Sequence, residues 1–427
     1  MSDIFRLTNQ IKHYDWGSPD FIPRLLGVDG GGTPWAELWM GVHNAGPSET
    51  EFRGKKIPLI NLIADNPPRA LGKEAAKKFG GLPFLFKLLA AAKPLSIQAH
   101  PNSVQAKEGW ERENRAGIPI DSPGRNYKDS NHKPEIICAL SPFTAMCGFQ
   151  TPQEILHGLG LLSAGAPSSL REGLMPLMTA LKNKSETTAL RGFLAALFAM
   201  PQNISGELSA YIITAAGDRA KGQGGAGEGD RLKHAARFAE LYPGDPSVIS
   251  PFYLNLIELK AGEAIGLPAG VLHAYIQGFG AELMANSDNV LRGGLTPKHV
   301  DVPELLRILD FSPHRPKIIS PMPDGGLPPA FFTYPGSFDE FSLSVLRNPG
   351  GEAAFPVPGP AIVIVTAGDM RLGSKQDLLL KQGESAFITA CSAPIQCSGT
   401  FTAHIASLPL VNSLPEAGSA PVWKIRQ

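Results

Sequence analysis

The sequence predicts a mainly β protein that is interrupted by a block of helices. Glycine (46 residues) and proline (39 residues) together make up about a fifth of the 427 residues. Such a composition is typical of short strands joined by tight turns. Short apolar runs recur before residue 150 and after residue 245, whereas the stretch between them carries leucine and alanine at helical spacing. We therefore expect two strand-rich regions with a helical insertion between them.

The first region, residues 1–150, contains short strand candidates and some helix. Leu95–Ala99 and Glu135–Leu140 are apolar runs bounded by proline or polar residues, which is typical of strands. The segment Lys73–Phe79 (KEAAKKF) predicts a helix, because alanine and lysine are strong helix formers.

Residues 151–245 predict the helical insertion. Serine, threonine or aspartate precedes spaced leucine and alanine runs there, which is a signal for helix starts. Candidate helices lie near residues 152–163, 169–182, 185–199, 205–216 and 230–241. The glycine-rich stretch Gly222–Gly229 lacks the Gly-Lys-Ser/Thr ending of a phosphate-binding loop, so we interpret it as a linker.

Strands return from residue 246 onwards. The candidates are Phe252–Glu258, Ala264–Leu267, Ala361–Thr366 and Ser385–Thr389. We expect residues 1–150 and 246–320 to form one domain and residues 321–427 to form a second, smaller β domain.

Composition excludes several classes of function. The chain has 39 basic and 39 acidic residues and no basic run, so a nucleic-acid partner is not expected. The N-terminal segment MSDIFRLTNQ is no signal peptide, and no apolar stretch reaches the ~18 residues of a membrane span. We expect a cytoplasmic protein. None of its cysteines forms a CxxC pair, which indicates free thiols rather than a disulfide framework; they are Cys138, Cys147, Cys391 and Cys397.

Two segments place polar side chains inside apolar strand candidates. Alternate residues of a strand share a face, so Ser96, Gln98 and His100 are predicted to point the same way. Glu135 opens the apolar run Ile136–Cys138, where a carboxylate lies either in water at a strand edge or in a polar site. The polar triplet indicates a lined cavity.

A third segment resembles the second signature of the cupin superfamily. It reads Gly262, five residues, Pro268-Ala269-Gly270, two residues, and then His273. The last position of that signature is usually Asn, and here it is Gln277. The resemblance implies a double-stranded β-helix (jelly-roll) barrel that gathers metal ligands inside it.

The three segments together offer one mixed ligand set. Two nitrogens and two oxygens would come from Gln98, His100, Glu135 and His273. Such a set suits one Zn²⁺ per chain, although Fe²⁺, Co²⁺ and Mn²⁺ also accept it. One carboxylate against a divalent ion leaves a net positive charge, which favours an anionic substrate oxygen or enediolate.

Longer segments resemble the type I mannose-6-phosphate isomerases. The stretch from Glu282 to Lys298 (ELMANSDNVLRGGLTPK) is similar to that family's signature, and SIQAHP, NHKPE, YDWG and AELWMG match it as well. The resemblance implies that Gln98, His100, Glu135 and His273 bind the metal. It implies that the catalytic residues are Arg292, Lys133, Glu282 and Asp288. It places substrate-binding residues at Lys87, Ser96, Lys298, Tyr275, Trp16 and Glu37.

The departures from the family pattern are few. Val271-Leu272 and Ile276-Gln277 replace pairs near His273 without changing a ligand. In the C-terminal region the run that starts at Gly383 resembles a cupin strand pair. The position of a ligand histidine is occupied there by Cys391-Ser392-Ala393-Pro394, so we expect no metal site in that domain.

The resemblance implies a metal-dependent aldose–ketose isomerase that interconverts mannose 6-phosphate and fructose 6-phosphate through a cis-enediol and feeds mannose and GDP-mannose metabolism. Its partner would be a small sugar phosphate, and the protein would be a monomer. The residues leave the base open between Glu282, Lys133 and metal-bound water. Two alternatives are an iron-dependent cupin oxygenase, which a His-poor set disfavours, and a sugar-phosphate-binding protein without turnover.

Overall fold

The computed structural model describes residues 3–220, 228–320, 330–373, 377–390 and 393–409. The chain forms two compact units. One unit comprises Thr8–Glu49 and Phe84–Gly326, and the other comprises Met1–Leu7, Thr50–Pro83 and Leu327–Gln427. Sheets form the framework of both units, and most of the helical residues lie between residues 152 and 241. This arrangement confirms the predicted β class with a helical interruption.

The strands are, in chain order, β1 (Ile4–Thr8), β2 (Gln10–Lys12), β3 (Glu37–Met40), β4 (Glu49–Phe52), β5 (Lys55–Pro58), β6 (Phe84–Ala91), β7 (Gln98–Ala99), β8 (Glu135–Ala139), β9 (Phe143–Phe149), β10 (Leu254–Leu259), β11 (Ala264–Leu267), β12 (His273–Ala285), β13 (Leu291–Arg292), β14 (Ala330–Thr333), β15 (Ser342–Asn348), β16 (Glu352–Phe355), β17 (Ala361–Gly368), β18 (Met370–Gly373), β19 (Leu378–Leu380), β20 (Ser385–Ile388), β21 (Ile395–Ser398) and β22 (Phe401–Ser407).

The α-helices are α1 (Phe21–Leu26), α2 (Leu59–Asp65), α3 (Pro67–Leu71), α4 (Lys73–Phe79), α5 (Ser103–Arg115), α6 (Pro152–Ala164), α7 (Ser168–Ala180), α8 (Glu186–Phe198), α9 (Gln202–Ala220), α10 (Glu228–Leu241) and α11 (Val302–Ile308). A 3-10 helix spans Pro246–Phe252. The predicted helix at Lys73–Phe79 and the five helix candidates between 151 and 245 are confirmed. The linker predicted at Gly222–Gly229 lies almost wholly outside the described residues.

Two strand predictions need correction. The predicted strand Leu95–Ala99 shrinks to β7, because the N–H groups of Leu95 and Ile97 donate to isolated carbonyls, at Tyr275 and Gly294, instead of to one partner strand. The strand predicted at Phe252 begins two residues later, because Phe252 still belongs to the 3-10 helix.

The larger unit is organised around β12. This strand of 13 residues is buried at every position except Gln277. Its first half pairs with β7 and β9, and its second half pairs with β6 and β8, always antiparallel. One long strand therefore places both the metal-ligand candidate His273 and Glu282 in the interior of the unit.

The helices α6 to α10 bury an apolar face in the same unit. Leu159, Leu174, Phe193 and Phe238 are fully or almost fully buried in one cluster with strand residues such as Ile97. Helix α6 begins with a capping box in which Thr151 and Glu154 satisfy each other's backbone N–H groups. In the described part of the chain, no helix is long and apolar enough to cross a membrane.

The smaller unit contains an eight-stranded sheet of order β14-β15-β22-β17-β20-β1-β4-β5 and a four-stranded sheet of order β16-β21-β18-β19. Two segments correct the predicted assignment of all residues 1–150 to one domain. Ile4 to Leu7 pair with Ile388 to Ser385, so β1 belongs to the C-terminal sheet, and Thr50–Pro83 belong to the smaller unit as well. The remaining three-part domain division stays a prediction. Cys391 and Ser392 lie outside the described residues.

Candidate metal centre and active site

Three predicted metal ligands meet in the interior of the larger unit. One ligand atom each of His100, Glu135 and His273 lies within 4.8 Å of the other two, and all three residues are buried. Glu135 Oε1 is 3.4 Å from His100 Nε2, and Glu135 Oε2 is 3.4 Å from His273 Nε2. The carboxylate therefore faces both imidazoles.

Backbone carbonyls fix the tautomer of both histidines. His100 Nδ1 is 2.8 Å from the carbonyl oxygen of Asn289, and His273 Nδ1 is 3.0 Å from that of Val271. A carbonyl only accepts, so each Nδ1 carries the proton and each Nε2 presents a lone pair to Glu135. Burial lowers the pKa of His100 to about 4, which keeps this imidazole neutral.

The polar atoms at the centre of the cluster fit a cation. Among the described residues, His100 Nε2, His273 Nε2 and Glu135 Oε2 have no hydrogen-bond partner although they are buried. Two nitrogen lone pairs aimed at a carboxylate repel it, and buried polar atoms without partners are costly. A divalent cation among the three atoms would remove both penalties, and the N/N/O donor set matches its chemistry.

The strand register places Gln98 beside this cluster. Gln98 is the antiparallel partner of His273 on one side and of Arg292 on the other. Side chains of directly paired residues share a face of the sheet. The half-buried Gln98 is thus adjacent to the cluster, and its role as the fourth ligand stays a prediction.

The turn before β12 delivers His273 to the cluster. Gly270 has a φ of 77°, a conformation that favours glycine. Its N–H donates to the carbonyl of His100 at 2.8 Å, and a Cβ there would lie 3.1 Å from the backbone of Ile308 and Asp310. The Pro-Ala-Gly turn of the sequence therefore connects two of the ligand segments directly.

A second buried group of charged residues lies on the adjacent strands β3, β6 and β12. Lys87 Nζ is 3.2 Å from Glu282 Oε2 and 3.5 Å from Glu37 Oε1. The Tyr275 hydroxyl donates to Glu282 Oε1 at 2.9 Å, and Trp39 Nε1 donates to Glu37 Oε2 at 2.8 Å. Four residues that the sequence predicted for the site, namely Lys87, Glu37, Tyr275 and Glu282, are thus brought together.

The environment shifts the pKa of both ends of this ion pair. Burial raises the pKa of Glu282, the charge of Lys87 opposes that shift, and the charges of Glu135 and Glu37 add to it; the net shift is upward. Burial lowers the pKa of Lys87, but the charges of Glu37 and Glu282 outweigh this effect and hold it above its usual range. Lys87 is therefore protonated at neutral pH.

Lys133 contacts the metal-ligand cluster directly. Its Nζ is 3.1 Å from Glu135 Oε1, and its side chain is about 10% exposed. Burial raises the pKa of Glu135, but the charge of Lys133 and the contact with His100 more than offset it, so the pKa lies well below its usual range. Glu135 is thus an ionised carboxylate held next to a cation.

The remaining predicted residues differ in their placement. Arg292 is half-buried and lies two strands from His273, about 10 Å by the usual strand spacing. Trp16 is half-buried and stacks on Tyr14 with ring centroids 5.6 Å apart. Ser96 is half-buried just before β7. Lys298 is exposed, and none of the contacts described for the cluster involves it.

His43 contacts the predicted site residue Asp288, although the sequence did not predict His43. The Asp288 carboxylate is exposed, and its Oδ2 accepts a hydrogen bond from Nε2 of the buried His43 at 3.0 Å. His43 Nδ1 accepts from the Ala45 N–H at 3.2 Å, so the proton resides on Nε2. His43 lies two residues after the AELWMG segment, but nothing in its neighbours predicts this contact.

A polar network that orients His100 was also missed. The Asn289 carbonyl accepts from His100, while the Asn289 side chain donates to the carbonyls of Asp129 and Asn131 at 2.9 and 2.8 Å. The Asp129 carboxylate accepts from the Ser287 hydroxyl at 2.9 Å. The signal in the sequence is proximity to the family-like segments: Ser287 and Asn289 lie inside ELMANSDNVLRGG, and Asp129 lies two residues before NHKPE.

Fold and site together define a cupin-type protein with a candidate mononuclear metal centre. A family model described as the catalytic domain of type I phosphomannose isomerase matches residues 4–152. The mannose-6-phosphate isomerase of Escherichia coli (strain K12) is 38% identical over 400 residues, which cover 92% of this chain and 97% of the relative. The chain belongs to the mannose-6-phosphate isomerase family.

Solved structures of that family have the same fold. A mutant of phosphomannose isomerase from Salmonella typhimurium is similar to this chain with a TM-score of 0.85 and 35% identity, covering 95% of this chain and all of that one. A zinc-bound holo structure of mannose 6-phosphate isomerase is similar with a TM-score of 0.84 and 36% identity, over 95% and 100% of the two chains.

Proposed function

We propose that this chain is a zinc-dependent aldose–ketose isomerase that interconverts D-mannose 6-phosphate and D-fructose 6-phosphate through a cis-enediol. The observation that carries the proposal is the set of three buried ligand atoms without partners beside two buried lysines. The sequence identity to mannose-6-phosphate isomerases over nearly the whole chain supports the choice of substrate.

The metal would be held by Gln98, His100, Glu135 and His273. When bound, a divalent cation polarises substrate oxygens and offsets negative charge at them. Without it, the buried residues Lys87, Lys133, Glu37, Glu135 and Glu282 carry one net negative charge, since two cations face three carboxylates. A divalent cation reverses that sign, and the site then favours a sugar phosphate.

Proton transfer requires a group that can hold a proton near neutral pH. Glu282 is our leading candidate, because burial and the neighbouring carboxylates raise its pKa. Lys87 and the Tyr275 hydroxyl hold its two oxygens and fix its orientation, so proton transfer requires one of these contacts to open. Lys133 and Asp288 complete the proposed catalytic group.

Arg292 would stabilise the negative charge that develops on the enediol oxygens. Its guanidinium stays protonated and shares a sheet face with Gln98 and His273. For the phosphate we propose the exposed Lys298, since the charge of Lys87 is already matched by two glutamates. Ser96, Trp16, Glu37 and Tyr275 would line the remaining pocket.

We also propose that the protein works as a monomer in the cytoplasm. The metal-binding domain would be formed mainly by residues 8–49, 84–150 and 246–320. Residues 151–245 would be its helical insertion, and 321–427 a β domain without a metal site.

The deciding experiment is turnover of mannose 6-phosphate to fructose 6-phosphate before chelation, after chelation and after Zn²⁺ is added back. Loss of turnover with the chelator and its return with zinc support the proposal. Absence of turnover in the zinc-loaded protein overturns it. Tight binding of the sugar phosphate under those conditions would indicate a binding protein instead.

A further inference from the structure

The turn that follows Arg292 has a strained backbone. Leu295 has a φ of 53°, a left-handed conformation that is unfavourable for a branched side chain. Gly294 has a φ of 117°, and a Cβ at that position would lie 2.0 Å from Ser247 Oγ. Leu295 is nevertheless buried in the core. Such strain persists only where surrounding contacts impose it.

Asp245 supplies the contacts that impose this conformation. Its Oδ2 accepts a hydrogen bond from the Leu295 N–H at 2.7 Å, and its Oδ1 accepts from the Ser247 N–H at 2.8 Å. The Ser247 hydroxyl in turn donates to the Gly293 carbonyl at 3.0 Å. Hydrogen bonds to an ionised carboxylate are stronger than those between neutral groups. Asp245 therefore joins the start of the 3-10 helix to the turn.

The other side of the turn is attached to the segment that carries Gln98. The Gly293 N–H donates to the Ile97 carbonyl at 2.7 Å, and the Ile97 N–H donates to the Gly294 carbonyl at 3.0 Å. Arg292 itself is paired with Gln98. The backbone that carries Arg292 is thus fixed between the metal-ligand strand on one side and Asp245 on the other.

We propose that Asp245 is a positioning residue for Arg292, because its carboxylate holds the 293–295 turn in the one conformation that keeps Arg292 beside Gln98. The proposal rests on the proposed function, in which Arg292 takes part in turnover. It gives the segment that directly follows helices α6 to α10 a role in the active site.

A double-mutant cycle tests whether Asp245 acts through Arg292. We expect Asp245→Ala to lower kcat about 10- to 100-fold, the size of effect that a displaced catalytic group causes. Asp245→Asn should lose less, because it retains one accepting oxygen. In the Arg292→Ala background, Asp245→Ala should change kcat by less than about 2-fold, since coupled residues are not additive. Losses that multiply would overturn the proposal.

A second cap in the same unit provides the matched control. Thr151→Ala removes the N-cap of α6 and should lower helix stability by an amount comparable to Asp245→Ala. The substitution leaves the 293–295 turn unchanged. We expect its kcat to equal that of the unmodified protein. An equal fall in kcat for Thr151→Ala and Asp245→Ala would mean that lost stability alone explains the effect, and the proposal would be wrong.

Amide hydrogen exchange separates this proposal from the proposed function. Asp245→Ala should speed the exchange of the Leu295 amide, whose N–H loses its acceptor, whether or not the protein isomerises a sugar phosphate. Faster exchange in a protein without turnover would show that the Asp245 carboxylate holds the 293–295 turn while the proposed function fails. Unchanged exchange at Leu295 would overturn the positioning role of Asp245 even in an active enzyme.

Discussion

At the scale of single residues, the site depends on charges that are buried and matched. Lys87 is 7% exposed, Glu37 6% and Glu282 3%, so none of them is well solvated. A buried ion pair adds little net stability, but removing one partner leaves an uncompensated charge and is strongly destabilising. Lys87 therefore has a structural role as well as its predicted role in the pocket.

Replacing Lys87 by methionine should lower the free energy of unfolding by about 3–5 kcal/mol, because Glu37 and Glu282 are left buried without their cation. Urea unfolding measures the change. Tyr275→Phe is the matched control: it removes one neutral donor to Glu282 and should cost only about 1 kcal/mol. Equal losses for the two variants would show that the charge of Lys87 does not matter.

Replacing Arg292 by alanine should reduce kcat at least about 100-fold, the usual effect of losing a preorganised charge stabiliser. Steady-state kinetics with mannose 6-phosphate measures it. Arg292→Lys keeps the positive charge but loses the planar guanidinium, so its kcat should lie between those of the unmodified protein and Arg292→Ala. A near-normal rate in Arg292→Ala would remove this residue from the mechanism.

At the scale of elements, strand β1 decides where the N-terminus belongs. It lies between β20 and β4 in the eight-stranded sheet, so both of its edges are paired. Short apolar strands look alike in sequence, and nothing in Ile4–Leu7 shows which sheet they join. The pairing was therefore not predictable, whereas the helices α6 to α10 were, since their periodicity is local.

Phe5→Pro should destabilise the smaller unit by about 1–3 kcal/mol, because proline removes a donor from a strand that is paired on both sides. Thermal unfolding measures the loss of stability, and amide hydrogen exchange in β20 shows whether it occurs in this sheet. Phe5→Val retains the N–H and the strand propensity and serves as the control. If both variants lose the same stability, the loss comes from the missing ring of Phe5 and not from the missing backbone hydrogen bond of β1.

At the scale of the whole molecule, metal binding and folding of the larger unit are coupled. The ligand atoms come from β8, β12 and the segment after β7, so the site exists only when these segments are assembled. A ligand that binds only the folded state stabilises it.

Removing zinc should therefore lower the stability of the larger unit. At a free zinc concentration about 100 times the Kd, the metal contributes about 2.7 kcal/mol to the free energy of unfolding. Calorimetry with and without a chelator measures the shift, and Glu135→Ala should show none. A transition that is unaffected by zinc in the unmodified protein would contradict the metal site.

The sequence by itself determined the mainly β class, the helical block and the candidates for the metal ligands. These features rest on local patterns: periodicity for the helices, the cupin-like spacing before His273, and the family-like segments SIQAHP and NHKPE for His100 and Glu135. The signature from Glu282 to Lys298 also located Arg292 and Asp288 within one short stretch.

Only the tertiary structure decided which partners these residues have. His43 binds Asp288 across 245 residues of chain, and the Asp245 carboxylate meets Leu295 fifty residues later. Such contacts follow from how strands and turns pack, and no local pattern encodes them. The same reason explains β1, which joins a sheet whose other strands mostly lie more than 300 residues away.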